Sequence, residues 1–131
     1  MGQMAKPSLR SEHEDQCIVV SALRRGGVGV FAVPNGAYLG RHRHAAVRRL
    51  RAEGLTPGAP DLILESLTGA PGRPVCVEMK RRVGYHPSPE QIAMRARLEA
   101  SGWVYVLGRG WVDALTQLVD LGLTVGIPGH E

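Results

Sequence analysis

Asp61, Glu78 and Lys80 are the residues of this chain best suited to chemistry. Asp61 opens a short apolar run, Asp61 to Glu65 (DLILE), directly behind the stiff turn Pro57-Gly58-Ala59-Pro60. Glu78 and Lys80 stand near the end of a second apolar run, Val75 to Lys80 (VCVEMK). Positions i and i+2 of a strand share a face, so Glu78 and Lys80 project together while Val77 and Met79 point the other way. If the two runs pair as a hairpin, the beginning of one lies beside the end of the other, and Asp61 comes close to Glu78 and Lys80. Two carboxylates at that range repel unless something positive lies between them. A hard divalent cation such as Mg²⁺ suits oxygen donors and keeps positions for water or phosphate oxygens. A lysine beside it can orient a water or stabilise charge on a phosphate. This is an arrangement for hydrolysing a phosphodiester. The plainer reading is a surface ion pair at a strand end. Lysine usage weighs against it: of the 16 basic side chains only Lys6 and Lys80 are lysines. With Arg81 and Arg82 directly following, a compact point charge is used here in place of a planar fork.

The elements that must position these residues follow from periodicity and punctuation. Ser11 is a candidate N-cap for a helix ending at Arg24-Arg25, with Glu12, Glu14 and Asp15 in its first turn and Gly26-Gly27 beyond its end. Residues 28–33 (VGVFAV) read as a strand, closed by Pro34-Asn35-Gly36. A basic helix is expected over 41–53. The strands 61–65 and 75–80 come next, separated by a loop. Ser88-Pro89-Glu90-Gln91 reads as a capping box with Pro at the first helical position, opening a helix that runs to about Ser101. A strand over 103–107 and a helix over 111–121 complete the order α-β-α-β-β-α-β-α. Strands with nearly continuous apolar runs, interspersed with helices, predict a central mixed β-sheet of about four strands covered on both faces. Residues 1–10 read as an arm, 11–122 as a single domain and 123–131 as a tail.

Composition narrows the classes. The 131 residues are 44% hydrophobic and 21% charged, which excludes a disordered chain, a fibre and a coiled coil. No apolar run approaches the roughly 20 residues of a membrane-spanning helix, so no membrane role is expected. The N-terminal stretch lacks an apolar signal-peptide centre, which points to the cytoplasm. Cys17 and Cys76 lie in apolar contexts and are expected to be buried, reduced thiols. The net charge of +4 suggests a polyanionic partner. The densest positive patch is Arg41-His42-Arg43-His44 with Arg48, Arg49 and Arg51. His44, Arg48 and Arg51 share a helical face, a track suited to a phosphate backbone, although a merely solvated face is the bland alternative.

The stretch Gly58-Ala59-Pro60-Asp61-Leu62, then Glu78-Met79-Lys80, then Ser88-Pro89-Glu90-Gln91, resembles the virus-type replication-repair nuclease (VRR-NUC) family of the PD-(D/E)XK nuclease superfamily. Glu12 to Gln16, Pro34-Asn35-Gly36 and the segment from Gly102 to Gly110 match in order, so the resemblance spans roughly residues 11–115. It implies a restriction-endonuclease-like core and a DNA nuclease dependent on Mg²⁺ or Mn²⁺. By motif match Asp61 and Glu78 would be metal ligands and Lys80 the catalytic lysine. The Met79 carbonyl and a glutamate of the first helix would complete the ligand set. The family's pattern of Glu, three residues, then Gln selects Glu12 with Gln16. Spacing agrees, because 12, 16, 19 and 23 form one stripe. Glu14 is the fallback, and a first-turn dipole role is the plainer reading of Glu12. Gln91 would lie at the active site, a role its capping box does not exclude.

Arg81, Arg82 and Tyr85 flank the expected site and join Arg41, Arg43, His44, Arg48 and Arg51 as candidate DNA contacts. Pro60 precedes Asp61, as the superfamily pattern requires. No zinc finger or evident helix-turn-helix is present, so DNA structure, branched DNA included, is a better expected cue than a long sequence. The family implies replication, repair or recombination intermediates, and a homodimer would set two sites on two strands. Two other classes remain: a nucleic-acid-binding module that does not cleave, and a small-molecule phosphoesterase for which the basic surface would be surplus.

Overall fold

The computed structural model of the chain describes residues 11–34, 43–65 and 72–127. Its elements are α1 (Glu12–Arg25), β1 (Val30–Ala32), α2 (Arg43–Ala52), β2 (Leu62–Leu64), β3 (Val75–Lys80), α3 (Pro89–Ala100), β4 (Val104–Arg109) and α4 (Trp111–Asp120), in the expected order. The four strands form one mixed sheet in the order β1-β2-β3-β4. β1 pairs antiparallel with β2, β2 antiparallel with β3, and β3 parallel with β4. Helices cover this open sheet, as the sequence pattern predicts. Among the described residues no helix is long and apolar enough to cross a membrane.

Alternation along the strands divides the interior. Val75, Val77 and Met79 of β3 join Leu62, Leu64 and Val106 against Val19, Ala22 and Leu23 of α1 and Ala114, Leu115 and Leu118 of α4. Gly108 admits α4 at close range: a Cβ there would lie 2.6 Å from that of Ala114. Cys76, Glu78 and Lys80 face the other way, toward α3. There Met94 is buried and Arg95 stacks over the buried Tyr105 ring at 5.0 Å. β3 is thus covered on both faces, and Glu78 sits in an interior that its sequence neighbours make apolar.

Three expectations change in detail. β1 begins at Val30 and not Val28, because the Val28 N–H donates back to the Leu23 carbonyl (2.9 Å) and closes the end of α1. β4 runs two residues past Leu107, since its parallel ladder with β3 continues to the pair Lys80 and Arg109. Cys17 is exposed while Cys76 is buried, because position 17 lies off the inward stripe of α1. Both thiols are free, and burial, followed by the charge of Glu78, pushes the Cys76 thiol up to about 12. α2 stands apart in character. None of its described side chains is buried, and His44, Arg48, Arg49 and Arg51 are exposed. Arg41 lies outside the described residues, as do Asn35, Gly36 and the 1–10 arm; Arg43 is described in its backbone alone.

Candidate active site

The register of β2 and β3 pairs Leu62 with Val77. One step further along the same register, Asp61 stands opposite Glu78, and opposed residues of an antiparallel pair share a face. Asp61 leaves the regular ladder at this point. Its carbonyl still accepts the Val33 N–H on the β1 side at 2.8 Å, while on the β3 side its Oδ2 accepts the Met79 backbone N–H at 2.7 Å, so a side chain extends the β2–β3 pairing by one bond. A residue's N–H and C=O point to the same neighbouring strand. The Met79 carbonyl therefore faces the same edge as Asp61.

The turn before Asp61 is held against α3. Gly58 has φ +85°, and a Cβ there would lie 2.5 Å from the Glu90 carbonyl carbon and oxygen and 2.8 Å from the Gln91 nitrogen. Only glycine fits both the left-handed backbone and the close approach. This contact sets Asp61 relative to the first turn of α3, where Gln91 stands. Gln91 closes the capping box and also reaches Glu78. Its backbone N–H donates to Ser88 Oγ (3.2 Å), and its Oε1 accepts the Ser88 N–H (3.0 Å), closing the capping box. Its Nε2 donates to Glu78 Oε1 at 3.2 Å.

Glu78 is the centre of the cluster. It is 3% exposed. Oε1 receives Gln91 and lies 3.3 Å from Lys80 Nζ. Oε2 is buried with no hydrogen-bond partner. Burial above all, then the negative charge of Asp61, pushes the Glu78 carboxyl up to about 7, against the opposing pull of Lys80. Burial likewise raises Asp61, while the Met79 N–H and Lys80 pull it down. Glu12 adds negative charge to both carboxyl groups and is half-buried on α1. Glu14 is exposed and closes a capping box with Ser11, accepting its hydroxyl at 3.1 Å. That leaves Glu12 as the α1 glutamate whose charge bears on the pair.

An orphaned buried carboxylate oxygen beside a second carboxylate fits a hard cation, since such a group is otherwise costly to bury. Among the described residues no three Asp, Glu, His or Cys side chains are gathered closely enough to hold an ion. The tight unit is Asp61 with Glu78, a pair that leaves coordination positions for water or phosphate.

The positive side of the site is Lys80, with Tyr85 and Arg109. Lys80 Nζ lies 5.4 Å from the Tyr85 ring centroid, and Arg109 Cζ lies 5.7 Å from it. Arg81 and Arg82 are exposed beside them, and the Arg82 stem lies against Gly110. The sequence reading missed one residue of this cluster. Arg109 carries no local signal, since only the parallel pairing of β3 with β4 sets it beside Lys80. Away from the cluster, Asp15 is 4% exposed and lies on the inward stripe of α1 with Val19, Ala22 and Leu23, as its i+4 spacing to Val19 allows.

No family model matches the chain, and no curated protein does. Among solved structures, a VRR_NUC domain protein superposes with a TM-score of 0.63 at 18% sequence identity, over 94% of this chain and 99% of its own. The resemblance carried by the sequence motifs thus extends to the whole architecture, and the chain has the fold of a VRR_NUC domain protein.

Proposed function

We propose that the chain is a divalent-metal-dependent DNA endonuclease. The observation that carries this reading is the unpartnered Oε2 of buried Glu78, next to Asp61 and with Lys80 on its other oxygen. Asp61, Glu78 and the Met79 carbonyl would hold Mg²⁺ or Mn²⁺, which when bound supplies Lewis-acid stabilisation of charge developing on the phosphate. Glu12, expected as a further ligand, lends its negative charge from α1 and would reach the ion through a water.

The chain's own groups do the rest. Lys80 presents an ammonium at the mouth of the pair, where it orients the attacking water or neutralises a phosphate oxygen. Gln91 holds the Glu78 carboxylate in place through Oε1, leaving Oε2 for the ion. Arg48, Arg51 and His44 on the exposed face of α2, with Arg81 and Arg82, take the sugar-phosphate backbone without reading bases. With little sequence readout, the substrates this reading favours are structured or branched DNA in replication, repair or recombination. A homodimer would present two such sites to two strands.

The test is cleavage of supercoiled plasmid and of branched oligonucleotides with Mg²⁺, with Mn²⁺ and with chelator. Metal-dependent cutting by the wild type, abolished in Asp61→Ala and Lys80→Ala while DNA binding persists, is the expected result. Salt-sensitive binding with no cutting under any metal would overturn the reading in favour of a module that binds through α2 alone.

A further inference from the structure

Lys80 has two holders. Glu78 Oε1 lies 3.3 Å from its Nζ, and the face of the Tyr85 ring lies 5.4 Å away. The first is not free to serve throughout a reaction. Oε1 already receives Gln91 Nε2, and in the reading above the same carboxylate also holds a cation, which weakens its pull on a second one. The second holder has no such conflict, because an aromatic face attracts an ammonium without being a metal ligand.

Chain geometry puts the ring there. Tyr85 follows Lys80 by five residues, and the connection turns back at Gly84, whose φ is +75°. Arg109 meets the same ring at 5.7 Å. As register partners on parallel strands, Lys80 and Arg109 share a sheet face, so two like charges are held side by side. An aromatic quadrupole within reach of both offsets their repulsion.

We propose that Tyr85 is a positioning residue whose ring fixes the Lys80 ammonium and keeps Arg109 beside it as a second phosphate-facing cation. The catalytic half of this proposal rests on the nuclease reading. The contact itself does not. A ring occupied by two cations is also a poor stacking platform, so Tyr85 acts through Lys80 and not by contacting a base.

The experiment has a structural and a kinetic arm. The chain contains two lysines, Lys6 and Lys80, so selective ¹³C labelling at lysine Cε gives a spectrum that can be assigned with one variant. In the wild type the Lys80 ε-protons are expected upfield of those of Lys6, through the ring current. Tyr85→Leu should return them toward the Lys6 position, and Tyr85→Phe should restore the upfield shift. In plasmid cleavage, Tyr85→Leu should lower kcat about three- to tenfold with KM for DNA held, and Tyr85→Phe should rescue it. A Lys80 signal that coincides with Lys6, or that ignores Tyr85→Leu, overturns the proposal. So does a shift that responds to Tyr85→Leu while kcat does not. A wild type that cuts nothing, with the Lys80 shift intact, removes the nuclease reading and the catalytic role with it, leaving the contact established.

Discussion

Asp61 and Met79 are joined by a side chain that takes the place of a backbone acceptor. The Met79 N–H donates to Asp61 Oδ2 at 2.7 Å, at the point where the β2–β3 ladder ends. The carboxylate is therefore anchored on one oxygen and turned toward the edge that the Met79 carbonyl also faces. Structure and chemistry share this residue, and substitutions can separate them. Asp61→Ala should cost about 1–3 kcal/mol of stability, because a partly buried N–H is left without a partner. Asp61→Asn keeps an acceptor and should cost less. Both should abolish Mn²⁺ binding. Urea unfolding and calorimetric Mn²⁺ titration check the two halves.

Gln91 ties the α3 cap to Glu78, so its substitutions should also divide. Gln91→Ala removes half of a capping box and should lower stability by about 0.5–2 kcal/mol, together with any cleavage activity. Gln91→Glu keeps an acceptor for the Ser88 N–H and, ionised, places a carboxylate where Glu78 Oε1 expects a donor. Near-native melting with reduced activity is the expected outcome for Gln91→Glu, measured by thermal denaturation and plasmid cleavage.

The raised Glu78 carboxyl gives the metal-free protein a defined pH dependence. Its folded value of about 7 lies above the ordinary 4.5, so between them the folded state binds more protons than the unfolded state. Stability from this group is complete below the ordinary value and is lost as pH rises through about 7. Asp61 contributes with the same sign. Thermal melts without metal should fall from about pH 5 to about pH 8, and Glu78→Gln should flatten the slope. Added Mg²⁺ favours the ionised form and should stabilise most at the alkaline end.

Gly58 is a point where geometry permits one residue. Gly58→Ala must adopt φ near +85° and drive a Cβ onto the Glu90 carbonyl. The backbone strain alone is worth about 1–3 kcal/mol. The first turn of α3 should shift, moving Gln91 relative to Glu78. Loss of both stability and cleavage, greater than in a solvent-facing control such as Gly72→Ala, is expected from urea unfolding and plasmid assays.

The exposed α2 face makes a prediction in salt. Arg48→Ala and Arg51→Ala should each weaken binding to duplex DNA and reduce the slope of log K against log salt by about 0.9 for every phosphate that is no longer neutralised. Fluorescence anisotropy across a salt series measures it. Equal slopes in wild type and variants would exclude α2 from the interface.

Sequence by itself determined the elements and much of the candidate site. The N-cap at Ser11, the capping box at Ser88, Gly26-Gly27, and the apolar runs around Leu62 and Val77 are local signals, and each is realised locally. The shared face of Glu78 and Lys80 followed from the two-residue period of a strand. What the sequence could not hold is pairing and depth. The parallel register of β3 and β4 alone sets Arg109 beside Lys80, and the turn through Gly84 lays Tyr85 over both. Burial of Glu78 to 3% needs α3 on one side and Asp61 on the other, and it is burial that lifts its carboxyl to about 7. Cys17, expected inside, faces out for the same reason: which side of a helix is covered depends on the partner it meets, and the sequence of α1 does not contain that partner.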